Sequence, residues 1–155
     1  MNKISYVIGD ATSPQGTGDK IIAHICNNKN RWGSGFVLTL SAKWGYPEYH
    51  YRARQTYPLG DVDVLSVDQD DDGNVLYVAN MIAQHDTKPD LKGNPPIRYD
   101  ALRTALSKVN KIAMEKNATI HAPRFGAGLA GGDWSEIEKI IIEIVTVDVT
   151  VYDLK

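Results

Sequence analysis

One cysteine, Cys26, in 155 residues leaves no internal disulfide to be made and suits a reducing compartment. There is no basic excess either: 17 Lys and Arg stand against 19 Asp and Glu, a formal net charge of −2, so nucleic acid is not an expected partner. No apolar run approaches the length that crosses a bilayer, and Met1 to Val7, followed at once by Gly9-Asp10, is too short for a signal peptide. Repeats, low-complexity tracts and interdomain linkers are also missing. The expectation is a cytoplasmic protein with no membrane partner. What is present, 43% hydrophobic and 23% charged residues, is ordinary globular composition, and one domain over residues 1–155 is the simplest organisation.

Short β-rich runs alternate with amphipathic segments, the pattern of a layered α/β domain with a mostly buried sheet. Strands are expected at Ile4–Ile8, Ile21–Cys26, Val62–Val67, Val75–Met81, Ala118–Ala122 and Asp148–Tyr152. Helices are expected at Val37–Trp44, Glu48–Tyr57, Tyr99–Lys116 and Trp134–Thr146. Asp68 to Asn74 lies between two strands and ends Asp-Gly-Asn, a hairpin signal. Its acidic run lacks the closing glutamate of a calcium loop, and His24, His50, His85 and His121 show no ligand spacing, so no metal is expected. Asp86 to Pro96, rich in Pro, Gly, Asn and Lys, is either a lid or a mere insertion.

Two glycine-rich stretches follow predicted strands and open predicted helices. The first is Asn27-Asn28-Lys29-Asn30-Arg31-Trp32-Gly33-Ser34-Gly35-Phe36, and the second runs from Pro123 through Gly126, Gly128, Gly131 and Gly132 to Trp134. Glycine lets backbone N–H groups approach an anion, and a helix N-terminus adds partial positive charge. Each stretch alone is also explained as a turn with a helix cap; Asp133 followed by Glu136 has the spacing of a capping box. Gly126, Gly128 and Gly131 satisfy G-x-G-x-x-G, yet a dinucleotide fingerprint opens its domain, and too little chain follows Gly126 to build a nicotinamide site. Two such loops at the carboxyl ends of parallel strands can hold a diphosphate from both sides.

Tyr6-Val7-Ile8-Gly9-Asp10, Ile22-Ala23-His24-Ile25-Cys26-Asn27 with Gly33-Ser34-Gly35, Pro123 to Trp134 and Thr150-Val151-Tyr152 occur in an order that resembles the macrodomain family, whose members bind ADP-ribose. The likeness is strongest to the branch of ADP-ribose-1″-phosphate phosphatases and terminal ADP-ribose hydrolases. It implies a three-layer α/β/α fold with a mixed, largely parallel central sheet. It further implies that Asp10 accepts a hydrogen bond from the adenine amino group, with Ala11, Thr12 and Tyr152 around the base. Cys26 and Asn27 would lie beside the distal ribose, and Gly33, Ser34, Gly35, Phe36 and Val37 against the diphosphate and that ribose. Pro123, Phe125, Gly126, Ala127, Gly128, Leu129 and Ala130 would close the other side. No cofactor is implied, and ADP-ribose or a derivative, or an ADP-ribosylated protein, would be the partner.

The terminal hydrolases of that branch use a lysine and an aspartate where this sequence has Met81 and Ala130. Neither side chain forms a covalent adduct or moves a proton. Hydrolysis would then rest on positioning and electrostatics, with Asn27 and His24 the nearest polar groups and His85 a third if its loop folds over the ligand. A histidine inside an apolar strand is also readily a hydrogen-bonded core residue. Three functions remain open: a metal-independent hydrolase acting at the distal ribose, a non-catalytic ADP-ribose reader, and, far behind, a Rossmann-type oxidoreductase.

Overall fold

A computed structural model describes residues 4–154; residues 1–3 and 155 of the expected single domain lie outside the described residues. Its elements are β1 Ile4–Ile8, β2 Lys20–Asn27, α1 Phe36–Lys43, α2 Tyr46–Arg52, β3 Val62–Gln69, β4 Val75–Gln84, α3 Tyr99–Lys116, β5 Thr119–Ala122, α4 Trp134–Ile144 and β6 Val149–Asp153. The six strands form one sheet in the order β1-β6-β5-β2-β4-β3. All neighbouring pairs are parallel except β3–β4. The parallel strands are joined by crossovers, whereas the Asp68–Asn74 segment folds as the expected hairpin turn, with Asp70 N–H donating to the Asn74 carbonyl at 2.9 Å.

The alternation along β2 divides the interior into two cores. Ile21 and Ala23 face a large core with Leu102, Leu106 and Val109 of α3 and Ile137, Ile140 and Ile141 of α4. Ile22 and Cys26 face a smaller one with Trp32, Leu40 of α1 and Tyr51 of α2. A strand buried on both faces reads as a continuous apolar run, as β2 and β4 do. In α3 the buried stripe Ala101, Leu102, Ala105, Leu106, Val109, Ala113 has helical spacing, and Asn117 ends the helix in the left-handed conformation at φ 53°.

The expected helix over Glu48–Tyr57 is instead Tyr46–Arg52, because Pro47 starts it early and Ala53 caps it. Beyond Ala53 the chain leaves the helix so that Arg54 can pair with Asp61 and Asp63. The Asp133–Glu136 capping box forms only in half. Asp133 accepts the Ser135 amide, but its own N–H donates to the Tyr99 hydroxyl at 3.0 Å, while Glu136 pairs with Lys139. The 86–96 segment is anchored at its base and closed at its tip. His85 N–H donates to Pro96 O and Arg98 N–H to Ala83 O, both at 2.8 Å, and Asp90 closes its tip through the Lys92 and Asn94 amides.

Candidate functional site

In this topology β2 and β5 are parallel neighbours, Lys20 opposite Thr119, so both glycine loops leave the same sheet edge side by side. They enclose two adjoining cavities of about 270 and 290 Å³. The first is lined by His24, Ser34–Val37, Gln84, Pro123–Gly126 and Gly128–Ala130, the second by Cys26, Asn27, Arg31–Ser34, Val37, Gln84, Thr87 and Leu129. A cavity of about 250 Å³ at the opposite sheet edge, beside Lys20, Asp68 and Asp70, carries neither glycine loop.

The first loop is built around Asn27. Its Oδ1 accepts the Lys29 amide at 2.9 Å, the Arg31 amide at 3.1 Å and the Tyr51 hydroxyl at 2.9 Å, and its Nδ2 donates to the Arg31 carbonyl at 2.7 Å. An asparagine closing a turn on its own following backbone is a recognised turn device, and here it fixes the loop's direction. Trp32 then stakes the loop into the small core, its indole N–H on Ser41 Oγ at 2.7 Å. Gly35, at φ 79°, turns the chain into α1, and no side chain caps that helix. The first N–H groups of α1 therefore open toward the cleft without a side-chain acceptor.

The second loop differs. Gly126, at φ 77°, is wedged among Ile97, Ile25 and Ile137, and a Cβ there would stand 2.6 Å from Ile97 Cδ1. Gly128 has ordinary φ and nothing within 4 Å of an added Cβ. Leu129 is 68% exposed and faces Gly35 across the cleft. Ala130 gives its carbonyl to the Ile97 amide at 3.1 Å. Met81 lies fully buried in the large core.

His24 is 2% exposed at the cleft floor. Its Nε2 lies 2.6 Å from Asn80 Oδ1, and Asn80 Nδ2 donates to Pro47 O, so Nε2 carries the ring proton and Nδ1 is a lone pair. Nδ1 is buried with no hydrogen-bond partner. Burial pushes the imidazole down to about 4 against the opposing Asn80 bond, so His24 is neutral at physiological pH. Burial also raises the Cys26 thiol well above its usual range, leaving no thiolate for nucleophilic attack. His85 Nδ1 accepts from Asn28 Nδ2 at 2.9 Å, and the Asp86 amide donates to Asn28 Oδ1 at 2.9 Å, tying the 85–86 corner to the first loop.

Asp10, Ala11, Thr12 and Tyr152 form a separate group at the β1–β6 side of the same edge. Burial alone would raise the Asp10 carboxyl, but the Thr12 amide and hydroxyl on Oδ1 and the Lys43 charge outweigh it and hold it below its ordinary value. Among the described residues Oδ2 receives no hydrogen bond. Tyr152 is 3% exposed; its hydroxyl accepts the Gln15 amide and meets His121 Nδ1, both at 2.8 Å, while its ring packs under Gly9. Sequence reasoning missed Gln84, Thr87, Ile25, Arg31, Trp32 and Arg124 as lining residues. Gln84 had a signal: the apolar run of β4 continues through Ile82-Ala83, carrying the strand three residues past Met81.

A six-stranded mixed sheet between two helical layers, with paired glycine loops at the carboxyl ends of two of its parallel strands, defines an α/β domain with a cleft along its edge. No family model matches the chain. A solved macrodomain protein of Streptomyces coelicolor is 44% identical with a TM-score of 0.82, covering 97% of this chain and 99% of that one. This chain belongs to the macrodomain family. It is also 33% identical over 145 residues to the mouse (Mus musculus) Chromodomain-helicase-DNA-binding protein 1-like, covering 89% of this chain and spanning only 16% of that relative's length. An ADP-ribose 1″-phosphate phosphatase of Meyerozyma guilliermondii is 24% identical, with 91% of this chain and 93% of that protein aligned. No helix among the described residues is long and apolar enough to cross a membrane.

Proposed function

We propose that this chain binds ADP-ribose or a derivative in the cleft and hydrolyses a group carried on the distal ribose, such as a terminal phosphate or an ADP-ribosyl ester. The observation that supports this most is the shape of the edge. From β1 to β4 lie four strand spacings, a row roughly 19 Å long at about 4.8 Å per strand. Asp10 stands at one end of this row, the two glycine loops with Asn27 at the end of β2 follow it, and Gln84 of β4 stands at the other end. An adenine at Asp10, a diphosphate between the loops and a ribose near Asn27 match that order of chemistry. The loops read the diphosphate through neutral backbone donors, which suits the net charge of −2.

The two polar residues then have unequal tasks. Asn27 Oδ1 already accepts three hydrogen bonds, so only the second N–H of Nδ2 remains to orient a ribose hydroxyl. His24, held near 4, is neutral at physiological pH with its single ring proton on Nε2, so its Nδ1 lone pair is left to orient a hydroxyl or a water rather than to serve as a strong base. Rate enhancement would come from charge stabilisation by the α1 N-terminus and the loop amides, with no metal required. The partner is free ADP-ribose derivative or ADP-ribosylated protein, in the cytoplasm. The buried Met81 and the methyl of Ala130 support a second reading, a reader that binds without turnover.

Calorimetry with ADP-ribose, AMP and NAD tests the binding reading, and equal affinity for AMP and ADP-ribose contradicts it. Turnover of ADP-ribose-1″-phosphate, O-acetyl-ADP-ribose and ADP-ribosylated protein, with and without chelator, tests the chemistry. Tight binding with no turnover of all three selects the reader; loss of turnover on chelation overturns the metal-free mechanism.

A further inference from the structure

Arg124 is the one cation inside the second glycine loop, next to the cleft it lines, and the simplest expectation is that it pairs with a ligand phosphate. The structure turns it the other way. Its Nε and Nη2 donate to the two carboxylate oxygens of Asp153 at 2.6 and 3.0 Å, a fork-to-fork pair at the end of β6. The guanidinium also lies over two rings, 4.9 Å from the centroid of Tyr6 on β1 and 5.3 Å from Trp134 at the start of α4. Those rings are joined at their edges, since Trp134 Nε1 donates to the Tyr6 hydroxyl at 3.0 Å and that hydroxyl in turn donates to Glu138. Three elements that flank the loop thus build a slot for one side chain. Charge in the slot sums to −1, with Arg124 against Asp153 and Glu138, so the cluster as a whole does not attract an anion.

We infer that Arg124 is a positioning residue: its lock onto Asp153, Tyr6 and Trp134 sets the height of the 125–130 loop so that its backbone amides face the diphosphate, and its charge does not contact the ligand. This inference rests on the proposed ADP-ribose site. The residues on either side of Arg124 show what the lock achieves. Phe125 is buried against Trp134, ring centroids 6.0 Å apart, and Gly126 is wedged among isoleucines. With Arg124 pinned outside and Phe125 inside, the chain between them enters the cleft in one direction. A lysine at 124 keeps the charge but loses the planar fork and the stacking on both rings.

Asp153→Asn separates the two roles by sign. If Arg124 served as a ligand cation, removing the carboxylate that neutralises it would tighten ADP-ribose binding. If Arg124 positions the loop, the same change weakens binding about tenfold, on the scale of a charge-assisted hydrogen bond. Arg124→Lys then weakens it to a similar degree despite keeping the charge. In both variants, amide hydrogen exchange of residues 126–130 in the ligand-free protein becomes faster, the loss of affinity varies little with salt, and AMP, which lacks the second phosphate and ribose, loses less affinity than ADP-ribose. Tighter binding by Asp153→Asn, or wild-type affinity in Arg124→Lys, overturns the inference. Failure of the wild type to bind ADP-ribose overturns the proposed site instead, and the exchange of residues 126–130 then still reports whether Arg124 holds the loop.

Discussion

The two glycine loops share an edge and a composition, yet they are stabilised in different ways. In residues 27–37 Gly33 is a spacer, since an added Cβ meets nothing within 4 Å, Gly35 serves the turn into α1 at φ 79°, and order comes from side chains, the Asn27 amide and the Trp32 stake. In residues 123–134 some glycines are themselves packed parts, with Gly126 and Gly132 pressed against Ile97 and Ile137. The helix ends differ too. That of α1 has no side-chain cap, whereas that of α4 is filled by Asp133. The same sequence signal therefore marks one loop that ends in an uncapped helix N-terminus and one whose following helix end is already filled.

Breaking the second loop from within should have the largest effect. Gly126→Ala places a Cβ 2.6 Å from Ile97 Cδ1 at a φ of 77°, and is expected to destabilise the fold by about 3 kcal/mol in urea unfolding. The first loop should fail through a side chain instead. Asn27→Ala removes an acceptor of three hydrogen bonds and is expected to cost about 2 kcal/mol in the same measurement. A stability equal to wild type would show that the loop is ordered by Trp32 alone.

Each loop's parent strand also carries a buried histidine, and pH sharpens the contrast. Burial lowers both His24 and His121 to about 4, assisted in His121 by the Lys20 charge. The unfolded chain takes up these protons near the ordinary value of 6.5, so the folded state is favoured above that pH. Stability falls as pH drops from 6.5 toward 4, by up to about 1.4 kcal/mol per pH unit for each histidine. Denaturant midpoints across this window measure the slope, and His24→Gln should reduce it. His121 has partners on both ring nitrogens, Thr119 and Tyr152, whereas His24 Nδ1 has none, so a cleft ligand is expected to alter the His24 contribution and leave that of His121. The smallest effect belongs to the α4 end. Asp133→Ala should cost about 1 kcal/mol and leave ligand affinity unchanged, because that helix end already has its own acceptor.

Much of this architecture was legible from local pattern. The strand runs and the α3 stripe carry their period in the sequence, and Tyr99–Lys116 matches the observed helix end to end. Turn chemistry was also readable at Asp70 and as half of the Asp133 cap. Local pattern did not reveal what depends on partners far along the chain. Asn27 looked like a ribose contact, and its engagement by Tyr51 appears only once α2 is docked. Arg124 carried no assigned role in the sequence, and its pairing appears only where β6 brings Asp153 beside it. Gln84 entered the cleft because β4 runs on to pair with the far side of the insertion at Ile97. Helix α2 begins at Tyr46 rather than Glu48 because Pro47 favours a helix start, a local rule that the expected bounds did not use.

The central claim is that backbone amides of both loops grip one diphosphate, and Gly128→Val tests it most directly. An added side chain at Gly128 meets nothing in the unliganded fold, so the unfolding midpoint should stay within about 0.5 kcal/mol of wild type while calorimetric binding of ADP-ribose is lost. Undiminished ADP-ribose affinity in a folded Gly128→Val protein would contradict the account, since the space it fills is the space the diphosphate must occupy.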